Sequence, residues 1–489
     1  MGGDSVNTDQ WTKQFIAGQW REGQSDNYVT DLNPFTQEPL LKIRGATPDD
    51  IDMAYKAALA AQGEWKEVNA YERSAMMMKL AEVISRRREE IIDILQLESG
   101  SSRVKAETEI NFVLAIVKEA SSFSVRMHGM ILPSLIPGKE NRIYKLPVGV
   151  VGVIGPFNFP FYLAMRAIAP AIACGNGVVV KPATETPVSG GLIIGSVFEE
   201  AGFPKGLISV TVAKSSEIGD AFTEHPIPSV ISFTGSTEVG RHIGEVCGRN
   251  LKRVALELGG NNAMIVLEDA NIEGAAESAA FGKFMHQGQI CMAVNRIIVH
   301  RKVYDEFLRR FKEKASHIRT GDPREKDTII GPLINNKQVE RIRDLWDKSV
   351  AQGAKVLYEG KVEGNVMGPH ILYDVRNDMP IAQEEIFGPA CGVIPVDSEE
   401  EAIRVANDSP YGLSGAVHAG SLEHGVEVAM QIETGMIHVN DQSVNDEPII
   451  AFGGEKASGL GRYGGQWALD EFTTTKWISV QTKQREYAF

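Results

Sequence analysis

From Val148 onward, short apolar runs alternate with segments of helical period, and this alternation restricts the possible folds more than any other feature of the chain. Residues 148–154, 177–181 and 229–233 are rich in β-branched residues, which is typical of strands buried on both faces of a sheet. A helical segment over residues 186–201, ended by a glycine, separates the last two runs. Strands joined by crossover helices form parallel sheets, so the pattern predicts a doubly wound α/β domain.

The same reasoning predicts further elements on both sides of the third strand. We expect a strand over residues 207–213, a helix over residues 215–223, and a helix after Gly235. The apolar face of that last helix is predicted to carry Val239, Ile243, Val246 and Cys247. A second alternating series begins after about residue 258 and predicts a second α/β unit, with apolar runs at residues 263–267, 296–299 and 391–396.

The first 120 residues predict a short strand region followed by helices. The run Thr47-Pro48-Asp49-Asp50 has the N-cap, the early proline and the acidic first turn of a helix, which we expect to end at Gly63. Residues 71–97 predict a long amphipathic stretch that ends by Gly100. Residues 123–145 are interrupted by proline and glycine without a helical period, so they predict an excursion from the main body.

Residues 146–165 contain no charged side chain and are long enough to span a bilayer. They also contain Pro147, Pro156 and Pro160, and Asn158 lies past their middle. Prolines break a helix and free backbone groups that hydrocarbon does not satisfy. We therefore expect a buried strand, loop and helix here rather than a membrane span.

The charge balance and the cysteines narrow the class of protein. With 50 Lys and Arg against 64 Asp and Glu, the net charge is −14, and no basic stripe would attract nucleic acid or an anionic membrane. Four cysteines without a CxxC pair, and no histidine cluster at metal spacing, argue against a disulfide framework or a metal site. The first eleven residues lack the basic start and apolar run of a signal peptide. We therefore expect a cytoplasmic protein that binds neither nucleic acid nor membrane.

Residues 233–240 read Phe-Thr-Gly-Ser-Thr-Glu-Val-Gly, so that a strand ends, Gly235 turns the chain and Ser236 begins a helix. Such a helix start offers free N–H groups and the positive end of the helix dipole to a phosphate. The pattern differs from the usual G-x-G-x-x-G, and a plain capped helix is therefore an alternative interpretation.

Cys291 and Glu257 are candidates for a nucleophile and a general base. Cys291 follows the polar run of residues 286–289, whereas the other three cysteines lie in apolar runs and fit small hydrophobic residues. Glu257 lies among apolar neighbours before two glycines, and a buried carboxylate with a raised pKa suits a base near neutral pH. The alternatives are an inert buried thiol for Cys291 and a structural ion pair for Glu257.

Asn158 lies between aromatic residues and prolines in Pro156-Phe157-Asn158-Phe159-Pro160. A rigidly held amide N–H group suits an oxyanion hole, where a misplaced donor loses most of its value. An asparagine that only satisfies a turn is the alternative.

Taken together and in order, these four motifs and three further stretches resemble the aldehyde dehydrogenase superfamily over nearly the whole chain. Seven short matches in one order make the resemblance specific. The matching stretches are residues 156–160 (PFNFP), 181–183 (KPA), 233–240 (FTGSTEVG), 257–260 (ELGG), 288–291 (GQIC), 384–389 (EEIFGP) and 410–413 (PYGL).

The resemblance implies a covalent mechanism. Cys291 would attack the aldehyde carbon, and the Asn158 side chain with the Cys291 main-chain N–H would hold the oxyanion of the thiohemiacetal. Hydride transfer to a nicotinamide would leave a thioester, which water activated by Glu257 would hydrolyse to a carboxylic acid. One alternative is a non-catalytic relative, which would not need all three of these residues. Another is coenzyme A as the acceptor in place of water, against which Glu257 argues as an available base for hydrolysis.

The resemblance also implies a cofactor site. Lys181 would contact the adenosine ribose, the turn at Gly235 the phosphates, and Glu385 and Phe387 the nicotinamide ribose and ring. Thr184 stands where many NAD-dependent members carry a glutamate that would repel a 2′-phosphate, so we expect the use of both NAD and NADP. The implied cofactor residues are Ile154, Phe157, Lys181, Thr184, Gly235, Ser236, Glu385 and Phe387.

The architecture that the resemblance implies has three parts and forms a homodimer or homotetramer. The ribbon before Val148 would pair with the C-terminal strand near residues 477–480. The parts are a Rossmann-type cofactor-binding domain (1–123 and 148–258), an α/β catalytic domain (259–469) and a small β oligomerisation part (124–147 and 470–489).

The implied substrate tunnel is apolar and sized for a ring or a medium alkyl chain. Residues 166–170 and 444–448 are similar to stretches of bacterial benzaldehyde, vanillin and salicylaldehyde dehydrogenases, so we expect an aromatic aldehyde. One alternative is an acidic semialdehyde, such as succinic semialdehyde, whose carboxylate pairs with Arg166; another is a structural tie of Arg166 to Asp446 or Glu447. The implied tunnel residues are Phe159, Leu163, Arg166, Ile290, Met292 and residues 445–450.

Overall fold

The computed structural model describes residues 11–489, so the first ten residues, on which the expectation about a signal peptide mostly rests, lie outside the described range. The helices are α1 (Pro48–Trp65), α2 (Ala70–Arg86), α3 (Arg88–Ser99), α4 (Arg103–Ser121), α5 (Phe123–Arg126), α6 (Pro160–Ala173), α7 (Ile193–Ala201), α8 (Ser215–Ile218), α9 (Ala221–Glu224), α10 (Thr237–Arg249), α11 (Ile272–Phe284), α12 (Tyr304–Ser316), α13 (Asn336–Ala351), α14 (Pro380–Gln383), α15 (Glu399–Asn407), α16 (Leu422–Ala429) and α17 (Gly465–Glu471). The strands are β1 (Gln14–Ile16), β2 (Gln19–Arg21), β3 (Tyr28–Leu32), β4 (Pro39–Arg44), β5 (Met130–Leu132), β6 (Lys139–Pro147), β7 (Val150–Ile154), β8 (Gly177–Lys181), β9 (Ile208–Val210), β10 (Val230–Thr234), β11 (Arg253–Glu257), β12 (Asn262–Val266), β13 (Val294–His300), β14 (Lys355–Glu359), β15 (Val362–Glu363), β16 (Val366–Met367), β17 (His370–Tyr373), β18 (Ala390–Val396), β19 (Tyr411–Gly412), β20 (Gly415–His418), β21 (His438–Val439), β22 (Glu455–Lys456), β23 (Gly459–Leu460) and β24 (Thr473–Gln481).

Helix α1 begins as predicted, with a reciprocal cap. The Thr47 hydroxyl accepts a hydrogen bond from the Asp50 amide, and the Asp50 carboxylate accepts one from the Thr47 amide. The predicted end at Gly63 is wrong, because the helix continues to Trp65. The buried Trp65 indole donates to the carbonyl oxygen of Ile172 at 2.8 Å, which holds the last turn against α6.

The stretch predicted over residues 71–97 forms two helices, α2 and α3. They are separated at Arg87, which leaves helical geometry with φ −90° and ψ 15°. The Arg87 guanidinium bonds Glu90 at 2.7 Å and the Ser196 hydroxyl of α7 at 2.7 Å, so the break faces a neighbouring helix. Gly100 ends α3 in the left-handed conformation (φ 66°), as predicted.

The first sheet contains eight strands within residues 11–489, in the order β2-β1-β9-β8-β7-β10-β11-β23. The five strands from β9 to β11 are parallel, and β1 and β23 flank them in antiparallel orientation. From β7 the chain winds through β8 and β9 on one side and later through β10 and β11 on the other. The predicted doubly wound fold is confirmed, with its topological switch between β7 and β10, where ligands bind in such sheets.

One strand of this sheet and one helix beside it are shorter than predicted. The strand over residues 207–213 is reduced to β9, because beyond it the Val212 amide donates to the side chain of Gln14 at 3.0 Å instead of to a strand. The helix over residues 215–223 is interrupted at Gly219, whose φ of 52° lies outside the helical region, and this leaves α8 and α9.

The helices around the switch point follow the prediction with one exception. The helix expected over residues 186–201 opens with a π-helical turn, Val188–Leu192, and continues as α7 to the left-handed Gly202. On α10, Ile243 is buried as predicted, but the placement of Val239 on the packed face is wrong, since 47% of Val239 is exposed. Val239 lines the open cleft described below.

The second sheet contains seven strands within the described range, in the order β14-β17-β18-β13-β12-β20-β21. All neighbours are parallel except β14 and β17. The apolar runs predicted at residues 263–267, 296–299 and 391–396 fall on β12, β13 and β18, and apolar clusters cover both faces of the sheet. The second α/β unit is therefore confirmed.

Strands β5, β6 and β24 form a separate antiparallel sheet. Along their whole lengths β6 and β24 pair, with Ile143 opposite Trp477, which confirms the predicted pairing of the ribbon with the C-terminal strand. The start of the ribbon differs, since Phe123–Arg126 forms the short helix α5. Ile131, Leu135 and Trp477 are all strongly exposed, so this sheet presents an apolar surface.

The uncharged stretch of residues 146–165 forms the end of β6, strand β7, a loop and the start of α6, as predicted. Every residue of α6 is buried. Among residues 11–489, no helix combines the length and the apolar character needed to cross a membrane.

Candidate active site

Two cavities meet at Cys291 and Asn158, and both residues line both cavities. The narrow cavity has a volume of about 190 Å³ and mostly apolar walls. The wide cleft has a volume of about 700 Å³, extends over the carboxyl ends of β7, β10 and β11, and includes Glu257. The structure thus brings the three residues predicted to be catalytic to one junction.

A constrained turn positions Cys291. His286, Gln287 and Gly288 all have positive φ angles of 49°, 57° and 71°, a conformation that non-glycine residues rarely adopt. A Cβ atom on Gly288 would lie 2.3 Å from the carbonyl oxygen of Gly388, so this position requires glycine.

Two buried glutamines hold this turn. Gln287 Nε2 donates to the carbonyl oxygens of Gly100 at 3.2 Å and Pro332 at 2.8 Å. Gln289 Oε1 accepts a hydrogen bond from the Ile334 amide at 3.0 Å. These bonds stabilise an otherwise unfavourable backbone, so the polar run that distinguishes Cys291 in the sequence anchors its loop.

Cys291 is partly accessible through the two cavities, yet its thiol has lost most of its solvation. This loss raises the pKa of Cys291 to about 12, and the Arg166 guanidinium opposes the rise. The neutral thiol is a weak nucleophile, so any group that stabilises the thiolate favours its attack on a carbon atom.

Glu257 is a buried carboxyl group that has no hydrogen-bond partner in the described part of the chain. Only 2% of it is exposed, and no residue between 11 and 489 donates a hydrogen bond to either of its side-chain oxygens. The structural ion pair considered above is therefore absent from the described part of the chain. Burial raises the pKa of Glu257 to about 8, against the lowering effect of Arg166. A carboxyl group that titrates near neutral pH can accept a proton from water there.

Asn158 is held at both its side chain and its main chain. The Nδ2 group donates to the Gln289 carbonyl oxygen at 2.8 Å, and the Asn158 carbonyl oxygen accepts from Lys105 Nζ at 2.7 Å. An amide NH₂ group has two hydrogens, so the first bond orients the group and leaves the second N–H for another acceptor.

The wide cleft is built around the start of α10 and a carboxylate opposite it. The Ser236 hydroxyl caps α10 by accepting a hydrogen bond from the Val239 amide at 3.4 Å. Glu385 Oε1 accepts from the Gly260 amide at 3.0 Å, and burial raises the pKa of Glu385 to about 7. A Cβ atom on Gly259 would lie 2.4 Å from a Glu385 oxygen, so the glycines of this motif make room for the carboxylate.

Three further predicted residues line this cleft. Phe157 and Phe387 meet edge to face with ring centroids 5.7 Å apart. Gly235 forms the turn between β10 and α10, where a Cβ atom would lie 2.4 Å from the Phe233 ring. The glycine therefore lets the main chain pass the ring and leaves the helix start open to the cleft.

An adjoining cavity of about 500 Å³ continues the cleft, and Ile154, Lys181 and Thr184 line it. The Thr184 hydroxyl donates to the Glu185 carboxylate at 3.1 Å. Burial lowers the pKa of Lys181, and the charge of Glu185 opposes this effect. A negative charge therefore remains at this end of the cleft although Thr184 carries none. The residues shared by the two cavities are Ala183, Glu185, Ser236 and Val239.

The continuous cleft has the parts that a dinucleotide requires. The open start of α10 lies at its middle and offers amide groups and a dipole to a pyrophosphate. Apolar side chains, including Ile218 and Ile243, form a slot for a planar ring at one end of the cleft. Glu385 lies at the other end, where its carboxylate can accept hydrogen bonds from ribose hydroxyls.

The narrow cavity contains the predicted tunnel residues Phe159, Leu163, Arg166, Ile290 and Met292. From the predicted segment 445–450, Asn445 and Asp446 line the cavity, whereas Ile449 and Ile450 are about half exposed and lie outside it. The sequence pattern did not predict that α4 and α11 form part of the cavity wall. The only sequence signal for this wall is the four-residue spacing of Thr108 and Phe112, which places both on one face of α4. Thr108 and Phe112 lie on α4, Phe281 lies on α11 and Met285 directly follows α11. The other lining residues that were not predicted are Tyr162, Gln442, Val444 and Phe452.

Arg166 is a buried cation that is already paired. Its Nη1 lies 3.2 Å from the Asp446 carboxylate, and the Tyr162 hydroxyl donates to the same oxygen at 2.5 Å. The guanidinium also lies over the rings of Phe452 and Tyr463, at 4.1 Å and 4.8 Å from their centroids. The tie to Asp446 is therefore present, and it neutralises the charge of Arg166 at the cavity wall.

The chain belongs to the aldehyde dehydrogenase family, whose pattern it matches over residues 20–478. It is 51% identical over 481 residues to a benzaldehyde dehydrogenase of Bacillus subtilis (strain 168), covering 98% of this chain and 99% of the relative. It is 50% identical over 472 residues to a vanillin dehydrogenase of Corynebacterium glutamicum, covering 96% and 98%. The crystal structure of an NAD-dependent benzaldehyde dehydrogenase from Corynebacterium glutamicum matches with a TM-score of 0.90 at 45% identity, covering 100% of both chains.

Proposed function

We propose that this protein oxidises aromatic aldehydes to carboxylic acids with NAD as hydride acceptor and NADP as a second acceptor. The observation that carries the proposal is the junction of an apolar cavity and a dinucleotide-shaped cleft at Cys291 and Asn158. The similarity to a benzaldehyde and a vanillin dehydrogenase supports the aromatic substrate, and the NAD-dependent benzaldehyde dehydrogenase supports NAD.

Cys291 is the nucleophile of this reaction. Its sulfur attacks the carbonyl carbon of an aldehyde in the narrow cavity, and the thiol proton leaves to solvent through the cleft. The guanidinium of Arg166 favours the thiolate form, and the carboxyl groups of Glu257, Glu385 and Asp446 oppose it. Negative charge develops on the former carbonyl oxygen, where the Asn158 side chain and the main-chain N–H of Cys291 donate hydrogen bonds.

Glu257 is the base that completes the reaction. Lys181, Ser236, Glu385 and Phe387 would hold the dinucleotide. The dinucleotide would supply the acceptor for the hydride of the thiohemiacetal, whose oxidation leaves a thioester on Cys291. Glu257 then takes a proton from a water molecule, which attacks the thioester and releases the carboxylic acid. The Glu257 oxygens have no protein donor among residues 11–489, which supports their use by water.

The charge balance of the narrow cavity supports an uncharged ring over an acidic semialdehyde. Because Arg166 is paired with Asp446, a substrate carboxylate would enter an apolar space without a free cation. Phe112, Phe159 and Tyr162 offer ring faces and edges to an aromatic substrate instead.

The division into parts follows the sheets. We assign residues 1–123 and 148–258 to cofactor binding, 259–469 to a catalytic domain, and 124–147 with 470–489 to oligomerisation as a homodimer or homotetramer. The separate β5–β6–β24 sheet and its exposed apolar side chains support the last assignment. The strand β23 crosses this division, since it pairs with β11 of the first sheet.

We place the enzyme in the cytoplasm, because its chemistry needs a free thiol and all four cysteines are unpaired. Cell fractionation followed by immunodetection tests this location. An enzyme recovered with the secreted or membrane fraction contradicts it.

A substrate panel tests the proposed function. We expect kcat/KM for benzaldehyde and vanillin to exceed that for succinic semialdehyde by at least about tenfold, equivalent to about 1.4 kcal/mol. Cys291→Ser should abolish oxidation of every substrate and still bind NADH, measured by its fluorescence. A preference for the semialdehyde that Arg166→Ala removes would favour the acidic substrate, and acyl-CoA as the product would favour coenzyme A as acceptor.

A further inference from the structure

A fully buried ion pair lies behind the loop that carries Asn158. Lys105 and Glu109 are one turn apart on α4, both side chains are 0% exposed, and Lys105 Nζ lies 2.5 Å from Glu109 Oε2. Lys105 Nζ also donates to the Asn158 carbonyl oxygen at 2.7 Å and lies 4.2 Å from the centroid of the Phe159 ring. The cation therefore contacts the Asn158 loop directly.

The second oxygen of Glu109 holds the start of α6. Glu109 Oε1 accepts hydrogen bonds from the main-chain amides of Phe161 and Tyr162, at 3.0 Å each. Amides in the first turn of a helix have no partner within the helix, and Phe159 at the N-cap offers no side-chain bond. The carboxylate of Glu109 therefore replaces the missing cap, in a place where the helix dipole favours negative charge.

These contacts hold residues 158–162 at both ends. Lys105 fixes the carbonyl of Asn158, and Glu109 fixes amides three and four residues later. The direction of the Asn158 side chain depends on this stretch of main chain. Displacing a hydrogen-bond donor of the oxyanion hole by about 1 Å can lower the reaction rate about a hundredfold. The position of residues 158–162 therefore decides how well the Asn158 amide stabilises an oxyanion.

Stability alone does not account for a buried ion pair at this place. Removing two charges from water is costly, and apolar residues of similar volume often pack as well or better. What apolar residues cannot supply is the set of directional bonds that the pair makes to the loop and to the start of α6. The pair thus provides geometry that simple packing of α4 against α6 does not.

We propose that Lys105 and Glu109 are positioning residues, which hold the Asn158 amide where the oxyanion of the thiohemiacetal develops. The proposal rests on the proposed function, since it assumes that Asn158 donates to that oxyanion. Neither residue lines the narrow cavity or the wide cleft, so both act through Asn158.

A double-mutant cycle with Asn158→Ala tests this role. Lys105→Met removes the donor to the Asn158 carbonyl while keeping most of the side-chain length. In single turnovers with benzaldehyde and NAD, we expect Lys105→Met to slow hydride transfer about 10- to 100-fold. In steady-state assays, KM for benzaldehyde should change less than about threefold. In the Asn158→Ala background the same substitution should slow the reaction less than about twofold, because the positioned amide is gone.

Lys283→Met is the matched control. Lys283 is also 0% exposed, and its Nζ donates to Asn295 Oδ1 at 2.8 Å, away from the Asn158 loop. Its effect on the hydride-transfer rate should be equal with and without Asn158→Ala. If Lys105→Met alone prevents folding, the double variant Lys105→Met/Glu109→Gln replaces it, because that variant buries no unpaired charge, and it should give the same coupling to Asn158.

Equal rate losses from the Lys105 substitution in both backgrounds, or no loss in a folded variant, would overturn the positioning role. Failure of both Lys105 variants to fold would also count against it, since stability would then explain the pair. The wild-type enzyme and Cys291→Ser test the proposed function in the same assay. No NADH from the wild-type enzyme with any aldehyde would end both proposals, whereas normal wild-type turnover with additive losses would end only this one.

Discussion

At the residue scale, the proposed chemistry depends on three ionisable groups, Cys291, Glu257 and Arg166. Burial raises the pKa of the thiol and of the carboxyl group, and the guanidinium opposes both rises. The positive charge of Arg166 is paired with the Asp446 carboxylate, so it is not free to bind the carboxylate of an acidic substrate. Small changes among these groups should therefore alter individual steps rather than the fold.

Glu257→Gln should allow one hydride transfer and then stop at the thioester, because the base for hydrolysis is missing. A burst of NADH close to the enzyme concentration, without steady turnover, is the expected trace. In the wild-type enzyme only the deprotonated Glu257 accepts a proton. For a substrate whose thioester hydrolysis limits turnover, kcat should therefore rise about tenfold per pH unit up to the Glu257 pKa of about 8 and level off above it. Steady turnover by the variant, or a rate that falls as pH rises toward 8, would contradict this role.

Thr184 and Glu185 should set the choice between NAD and NADP. The wild-type enzyme should use both and prefer NAD, because the Glu185 carboxylate lies against the Thr184 hydroxyl and near Lys181. Thr184→Glu should lower the ratio of kcat/KM for NADP over NAD by about tenfold, and Glu185→Gln should raise it by a similar factor. Wild-type discrimination of about a thousandfold against NADP, or an unchanged ratio in Thr184→Glu, would show that this explanation is wrong.

At the scale of elements, the site is assembled from the ends of strands and helices rather than from their middles. Glu257 is the last residue of β11, Asn158 precedes α6, and Ser236 caps α10. Parallel strands bring their carboxyl ends to one edge of the first sheet, and the turn before Cys291 reaches that edge from the second α/β unit. The geometry of single turns therefore decides whether the groups meet.

Gly288→Ala should disrupt the turn before Cys291. The residue has a φ of 71°, and the added Cβ would lie 2.3 Å from the Gly388 carbonyl oxygen, so the backbone must move. We expect kcat to fall at least about tenfold and the melting temperature to fall by several degrees. The control is Gly63→Ala on α1, where nothing lies within 4 Å, and which should keep full activity and gain about 0.5–1 kcal/mol of stability. Equal activity of the two variants would contradict the role of the turn.

At the scale of the whole molecule, two parallel sheets with separate cores are joined by the cleft, and a third sheet projects apolar side chains outward. Trp477 on β24 and Ile131 on β5 are 65% and 70% exposed. Exposed apolar surface of this kind is typical of protein–protein interfaces, so it supports the proposed assembly of several copies through this sheet.

Trp477→Asp should convert the proposed oligomer to monomers, because a charged side chain would have to be buried in the proposed interface. Light scattering should show a mass near 53.4 kDa, and circular dichroism should remain unchanged. Tyr71→Asp is the control, since Tyr71 is 76% exposed on α2 and lies outside the third sheet. A wild-type monomer, or an unchanged oligomer in Trp477→Asp, would contradict assembly through this surface.

The sequence by itself determined the local structure and the candidate catalytic groups. The cap at Thr47, the end of α3 at Gly100 and the strand Gly177–Lys181 follow from rules that act over a few residues. Short motifs were also enough to select Cys291 and Glu257, because special backbone turns leave glycine, proline and polar residues at fixed spacings. The expectations that failed, such as the helix end at Gly63, are those that distant packing overrides.

Only the tertiary structure decided what surrounds these groups. It pairs Arg166 with Asp446, 280 residues away in the chain, and leaves Glu257 buried without a donor among residues 11–489. It also brings α4 behind Asn158, where Lys105 contacts the loop. Periodicity shows which face of an element is apolar but not which faces meet, so the walls and the charge balance of the site follow from how distant elements pack.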